Sequence, residues 1–75
     1  MTYLIATFYK FANISDLKAK KQQILTWCQS QELKGTIILA EEGINGTISG
    51  QEKAIATVLT QLRRLPNLAD LEHKE

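Results

Sequence analysis

A single cysteine, Cys28, stands in the chain, so neither a disulfide nor a cysteine-based zinc site can form within one copy. A small domain without disulfides fits a reducing compartment. One histidine, His73, has no second ligand at metal spacing, which argues against a metal site. One proline and four glycines, without clusters of glycine, proline or serine, leave no linker, and no internal repeat is visible. Charge of either sign is not in excess: nine Lys and Arg face eight Asp and Glu, a net charge of +1. Bulk charge therefore does not mark a nucleic-acid binder, and such a role would need the cations segregated onto one face. The longest apolar run is far too short to span a bilayer, and the opening MTYLIATFYKF has neither a basic leader region nor a cleavage pattern. A cytoplasmic protein without membrane contact is the expectation.

What is present suits one small folded unit. With 75 residues, a single domain spanning 1–75 is the ceiling. A domain of this size buries only ~60% of its unfolded surface and is marginally stable. Apolar residues make up 44% and charged residues 23%, the balance of an ordinary globular domain rather than a disordered segment.

Tyr3 to Phe11, rich in aromatic and β-branched residues, reads as a strand. Its two faces, Tyr3/Ile5/Thr7/Tyr9 and Leu4/Ala6/Phe8, are both largely apolar, as in a central strand with some cover on each side. NISDLKAKKQQILTWCQSQELKG then turns helical: Ser15 or Asn13 caps it, Asp16 suits the first turn, and Gly35 ends it after Lys34. Leu17, Ile24, Leu25 and Cys28 form its buried stripe, with Lys18, Lys20, Lys21 and Gln22 outside. Residues 35–40, GTIILA, read as a buried strand and 46–49 as a second short one, joined by AEEGINGT. Ser49 and Glu52 have the spacing of a capping box. Ala54, Ile55, Val58, Leu59, Leu62 and Leu65 follow as a helical stripe that Pro66 ends. Residues 68–75 could begin a fourth strand, complete or not. The order predicts an α+β fold, a ferredoxin-like β-α-β-β-α-β sandwich with both helices on one face of an antiparallel sheet. The other face is left open, or covered by something this chain does not contain.

AEEGINGT is the densest cluster of chemically interesting residues. Glu41 and Glu42 are adjacent, so on a strand they point to opposite faces and do not converge on one substrate. Gly43-Ile44-Asn45-Gly46 spells the GXXG of a nucleic-acid clamp, yet that loop joins two helices and this one joins two strands. It matches neither a Walker A loop nor GxGxxG. Glu-Gly and Asn-Gly are turn signals, and a hairpin connection is the favoured reading. Ile44 is the residue a plain solvent turn would not need. Lys18, Lys20, Lys21, Arg63 and Arg64, with Lys10 and Lys34, read as a solvated helix exterior or as phosphate contacts. Tyr3, Phe8, Tyr9 and Phe11 resemble base-stacking sheet surfaces, but they lie on one strand only, and packing is the favoured reading. Trp27 reads as half-buried packing at the helix edge.

YLIATFYKF, LKGTIILAEEGINGTISG and LADLEHKE resemble the N-terminal region of the rhodanese-like tRNA uridine hydroxylases. The most specific part is Gly35-Thr36-Ile37-Ile38-Leu39-Ala40 followed by Glu42-Gly43-Ile44-Asn45-Gly46-Thr47. Phe8-Tyr9-Lys10-Phe11 and Asp16-Leu17 agree in order and spacing, and the likeness runs from Tyr3 to about Lys74. The resemblance implies an acylphosphatase-like N-terminal domain followed by a rhodanese domain that carries the catalytic cysteine. It implies an oxygen-dependent enzyme forming 5-hydroxyuridine at the wobble position of tRNA. Cys28 falls in the first helix rather than in a rhodanese loop, so that catalytic role does not pass to it. Acyl-phosphate hydrolysis needs an arginine cradle in the first loop, and Lys10-Phe11-Ala12-Asn13-Ile14 has none.

The chain is thus expected to be a non-catalytic accessory domain, monomeric alone and without a cofactor of its own, belonging to a longer enzyme. Its expected partners are the downstream rhodanese domain and tRNA. Two roles remain open: positioning tRNA, or packing on the rhodanese domain with no RNA contact. Ile44 is expected either to tuck onto the core or to meet that domain.

Overall fold

Alternation along the first strand decides the architecture. In the structure, a computed structural model that describes residues 2–75, Tyr3–Phe11 forms β1. Ala6 and Phe8 are buried, while Tyr3, Ile5, Tyr9 and Phe11 are exposed. The chain continues through α1 (Leu17–Ser30), β2 (Lys34–Ala40), β3 (Gly43–Gln51), α2 (Glu52–Arg63) and β4 (Glu72–Lys74). The strands form one antiparallel sheet in the order β2-β3-β1-β4. α2 packs on β3 and β1, and α1 on β2 and α2. This is the expected ferredoxin-like α+β arrangement, with β1 central and a fourth strand of only three residues.

The core lies between the helices and the inner face of the sheet. Phe8, Ile48, Ile55, Val58, Leu62 and Leu68 are fully buried there. α2 presents the predicted stripe, with Ala54, Ile55, Val58, Leu59 and Leu62 buried. The helix stops at Arg63 rather than at Pro66, so Leu65, expected in the stripe, instead begins a leucine staircase with Leu68 and Leu71. The N–H groups of Leu65, Leu68 and Leu71 each donate to the carbonyl of the leucine three residues earlier, at 3.1 Å. All three side chains are buried, so the segment around Pro66 closes the core instead of leaving it.

Several local expectations give way to tertiary structure. Neither Ser15 nor Asn13 caps α1. Asp16 holds the cap position in the left-handed region (φ 53°) without a side-chain cap bond. α1 also stops before Gly35, at Ser30, where Glu32 adopts φ 57°. Leu33 N–H donates to the Cys28 carbonyl and Glu32 N–H to that of Gln29, the paired bonds of a Schellman ending. Gly35 lies inside β2 instead. Of the predicted α1 stripe only Ile24 is fully buried; Leu25 is exposed, Leu17 and Cys28 are half-buried, and Trp27 is half-buried as expected.

β2 proves to be an edge strand rather than a buried one. Leu39 faces the core, whereas Ile38 is 56% exposed on the opposite face. β3 is longer than 46–49, and only Glu41 and Glu42 remain as the turn before it. The Ser49–Glu52 capping box does not form because Ser49 is inside β3, opposite Ile5 and Lys34. Gln51 is the cap residue, and Glu52 N–H donates to the Thr2 carbonyl at 3.1 Å.

Ile44 and Ile38 test the two faces against each other. Ile44→Ala opens a cavity in the core and is expected to cost about 2–5 kcal/mol, against less than about 0.5 kcal/mol for Ile38→Ala. Urea unfolding of both variants measures the difference.

Candidate functional site

In AEEGINGT the backbone, more than the side chains, does the structural task. The Glu41 carbonyl accepts a bond from Ile14 N–H (2.9 Å) and the Glu42 carbonyl one from Ala12 N–H (3.0 Å). The turn therefore fastens the loop between β1 and α1. Those amides are the donors an anion cradle in that loop would need, and they are already engaged. Asn13 is held as well, its carbonyl accepting from Asn67 Nδ2 at 2.8 Å. One hollow beside this loop is lined by Asp16 and Glu41 and by no cation, and another by Lys10, which is paired with Asp70. Neither Glu41 nor Glu42 makes a side-chain bond among the described residues, and both are exposed.

The rest of the motif enters β3. Ile44 lies opposite Lys10 and Leu39 and is only 2% exposed, a core residue that anchors the start of the strand. A Cβ on Gly43 would collide with the Lys10 carbonyl oxygen, and one on Gly46 would lie 2.7 Å from the Thr36 carbonyl oxygen. The glycines thus permit close strand approach. Asn45 is exposed on the opposite face, between Tyr9 and Ile38.

The predicted cations divide into engaged and unengaged groups. Lys10 Nζ pairs with Asp70 Oδ2 at 2.9 Å. Arg63 Nε donates to the Leu71 carbonyl at 2.9 Å, and Nη2 lies 3.1 Å from His73 Nδ1. Because Arg can only donate, Nδ1 accepts and the ring proton sits on Nε2, 3.1 Å from Glu75 Oε2. Lys20 Nζ donates to the Ser15 carbonyl. Lys18, Lys21, Lys34 and Arg64 are exposed and form no such bonds among the described residues. Lys18 and Lys21 share one side of α1 by their three-residue spacing. Lys21 and Lys34 line the same cleft between α1 and β2, which places unengaged charge along the β2 edge. Arg63, through Leu71 and His73, belongs to the β4 edge.

The sheet face away from the helices carries a second feature. Tyr3, Ile5, Tyr9, Phe11 and Ile38 are each more than half exposed on it. The Tyr9 and Phe11 rings meet edge to face, their centroids 6.2 Å apart at 73°. Phe8, grouped with these aromatics on sequence, points the other way into the core. Cys28 is half-buried in α1, where burial pushes its thiol above the ordinary value. It therefore stays protonated near neutral pH and is a poor nucleophile. Among the described residues no cluster of His, Cys, Asp and Glu could hold a metal. No helix among them is long and apolar enough to cross a membrane.

Asp70 gives the site a pH signature. The hydrogen bond from Lys10 holds its carboxyl below the ordinary carboxylate range, aided by a bond to its own backbone. A depressed value means that the pair stabilises the fold above the unfolded-state pKa and stops doing so as pH falls through the folded one. Thermal melts should therefore place Asp70→Asn below the parent at neutral pH. The gap should close once the pH drops beneath the carboxylate range.

Comparison with known proteins fits this arrangement. The model of the UPF0176 acylphosphatase-like domain matches residues 3–75. A tRNA uridine(34) hydroxylase of Teredinibacter turnerae is 48% identical over 97% of this chain and 23% of its own length. Its counterpart in Albidiferax ferrireducens is 51% identical over the same shares. That of Wolbachia pipientis wMel is 48% identical over the whole chain and 27% of its own length. The chain thus spans about a quarter of the curated relatives it matches. With the strand order, the paired helices and this match in agreement from Tyr3 onward, the chain belongs to the UPF0176 acylphosphatase-like domain family.

Proposed function

We propose that this chain is the accessory N-terminal domain of a rhodanese-like tRNA uridine hydroxylase, an oxygen-dependent cytoplasmic enzyme that forms 5-hydroxyuridine at the wobble position. The observation that supports the reading is identity of 44–51% over nearly the whole chain with proteins bearing that activity in their names. Hydroxylation falls to the rest of the enzyme, since the one cysteine here is half-buried with a raised pKa. The domain's share is positioning. Lys18, Lys21 and Lys34, unengaged along the β2 edge, meet tRNA phosphates, and displacement of counterions supplies sequence-independent affinity. Arg64, exposed at the end of α2, is unengaged too, while Lys10, Lys20 and Arg63 are free only once their present bonds loosen.

A second reading is favoured by the five exposed apolar side chains of the open sheet face. In it, that face packs on the downstream rhodanese domain and the chain touches no RNA. In the full-length enzyme, reversing Lys18, Lys21 and Lys34 to Glu separates the two. The tRNA-positioning role predicts at least a roughly tenfold loss of tRNA affinity near 0.1 M salt. It also predicts a shallower dependence of log K on log salt, by about 0.9 for each phosphate no longer neutralised. Unchanged affinity and slope would leave the packing role.

A further inference from the structure

The register places the open face in rows that can be read across the strands. Ile38, Asn45, Tyr9 and Glu72 form one row from β2 to β4. Thr36, Thr47, Thr7 and Lys74 form the next, and Lys34, Ser49 and Ile5 another. At the turn end, Gly43 lies opposite Phe11, with Ala40 beyond it on β2. Neither has a side chain large enough to cover the Phe11 ring, which is 80% exposed and meets the Tyr9 ring edge to face. Tyr9, 65% exposed, stands next to the amide of Asn45.

A face meant for another protein domain would put its apolar residues at the centre and keep charge and hydrogen-bonding groups at the rim. Here the order is different. A threonine row crosses the middle, with Thr7 Oγ1 and Thr47 Oγ1 3.4 Å apart, and the aromatic rings lie to either side. Flat rings next to short hydrogen-bonding side chains suit unpaired bases, whose faces stack and whose edges seek donors and acceptors. Lys34 and Lys74, on the two outer strands, flank the surface, with Glu72 in the Tyr9 row and Glu42 at the turn end beside Phe11. Lys34 also joins it to the cations of the β2 edge.

We infer that the open sheet face is a platform for the unpaired nucleotides of an RNA loop, with Tyr9 and Phe11 stacking on bases and Asn45 reading an edge. The inference rests on the tRNA reading above and names the surface that would meet the loop, as distinct from the cations that would meet the phosphates.

The test uses the full-length protein and two fluorescein-labelled RNA hairpins of equal charge, one with a seven-nucleotide loop and one paired along its length and closed by a minimal tetraloop. Tyr9→Ala combined with Phe11→Ala should weaken binding of the seven-nucleotide loop at least tenfold and of the paired hairpin less than twofold. Tyr9→Phe, which keeps the ring, should bind like the parent. Both residues are exposed, and equal melting temperatures would confirm that the variants fold. Loss of equal size on both RNAs, or on neither, would overturn the proposal. A lowered melting temperature of the full-length protein without loop selectivity would overturn it in favour of a domain interface. If loop selectivity is absent while reversal of Lys18, Lys21 and Lys34 still weakens tRNA binding, the stacking platform falls and the positioning role stands.

Discussion

The register between β1 and β3 is the constraint on which everything else in this domain depends. Nine residues pair with nine, from Tyr3 opposite Gln51 to Phe11 opposite Gly43. That pairing puts Ala6, Phe8, Ile44 and Ile48 on one face, where α2 can cover them, and Ile5, Tyr9 and Phe11 on the other. A slip of one residue would exchange the two sets. Two devices hold the register at the turn end. Gly43 and Gly46 let the strands approach where a Cβ would clash, and Ile44 anchors the start of β3 in the core. The turn before them then borrows the amides of the next loop, so α1 is tied to the same register.

That economy has a chemical consequence. An anion cradle in the loop after the first strand would need free backbone donors, yet here the Ala12 and Ile14 amides point to the carbonyls of Glu42 and Glu41. Those two donors are not available to an anion there. The surfaces left available are the β2 edge, with its unengaged lysines, and the open sheet face with its exposed rings. Both present exposed side chains on a chain that spans about a quarter of the length of the relatives it matches.

Element order and fold class were legible because the α2 stripe carries helical periodicity, while β1 and GTIILA are short apolar, β-branched runs set between turn signals. The open face was legible too: both faces of the first strand read as apolar while the helices could cover only one, and Tyr3, Ile5, Tyr9 and Phe11 are exposed on the other. What was not legible shared a cause. The Ser49–Glu52 box gave way because β3 runs on through Ser49 and the Thr2 carbonyl takes the Glu52 amide, and α1 starts at Asp16 without a side-chain cap instead of at Ser15 or Asn13. The Schellman ending at Glu32 uses a residue without glycine's freedom, so Gly35 carried the stronger stop signal. Leu65, Leu68 and Leu71 follow a period of three, which belongs to neither an α-helix nor a strand, and the staircase stayed hidden. At the site, seven cations could be named from sequence, but which were engaged depended on Asp70, Ser15, Leu71 and His73, partners that no spacing rule reveals.

Lysine-reactive footprinting of the full-length protein, with and without tRNA, tests the central claim that this domain touches the nucleic acid. Bound tRNA is expected to protect Lys18, Lys21 and Lys34, while Lys10, held by Asp70, changes little. Equal reactivity of all these lysines in the presence and absence of bound tRNA would contradict that claim.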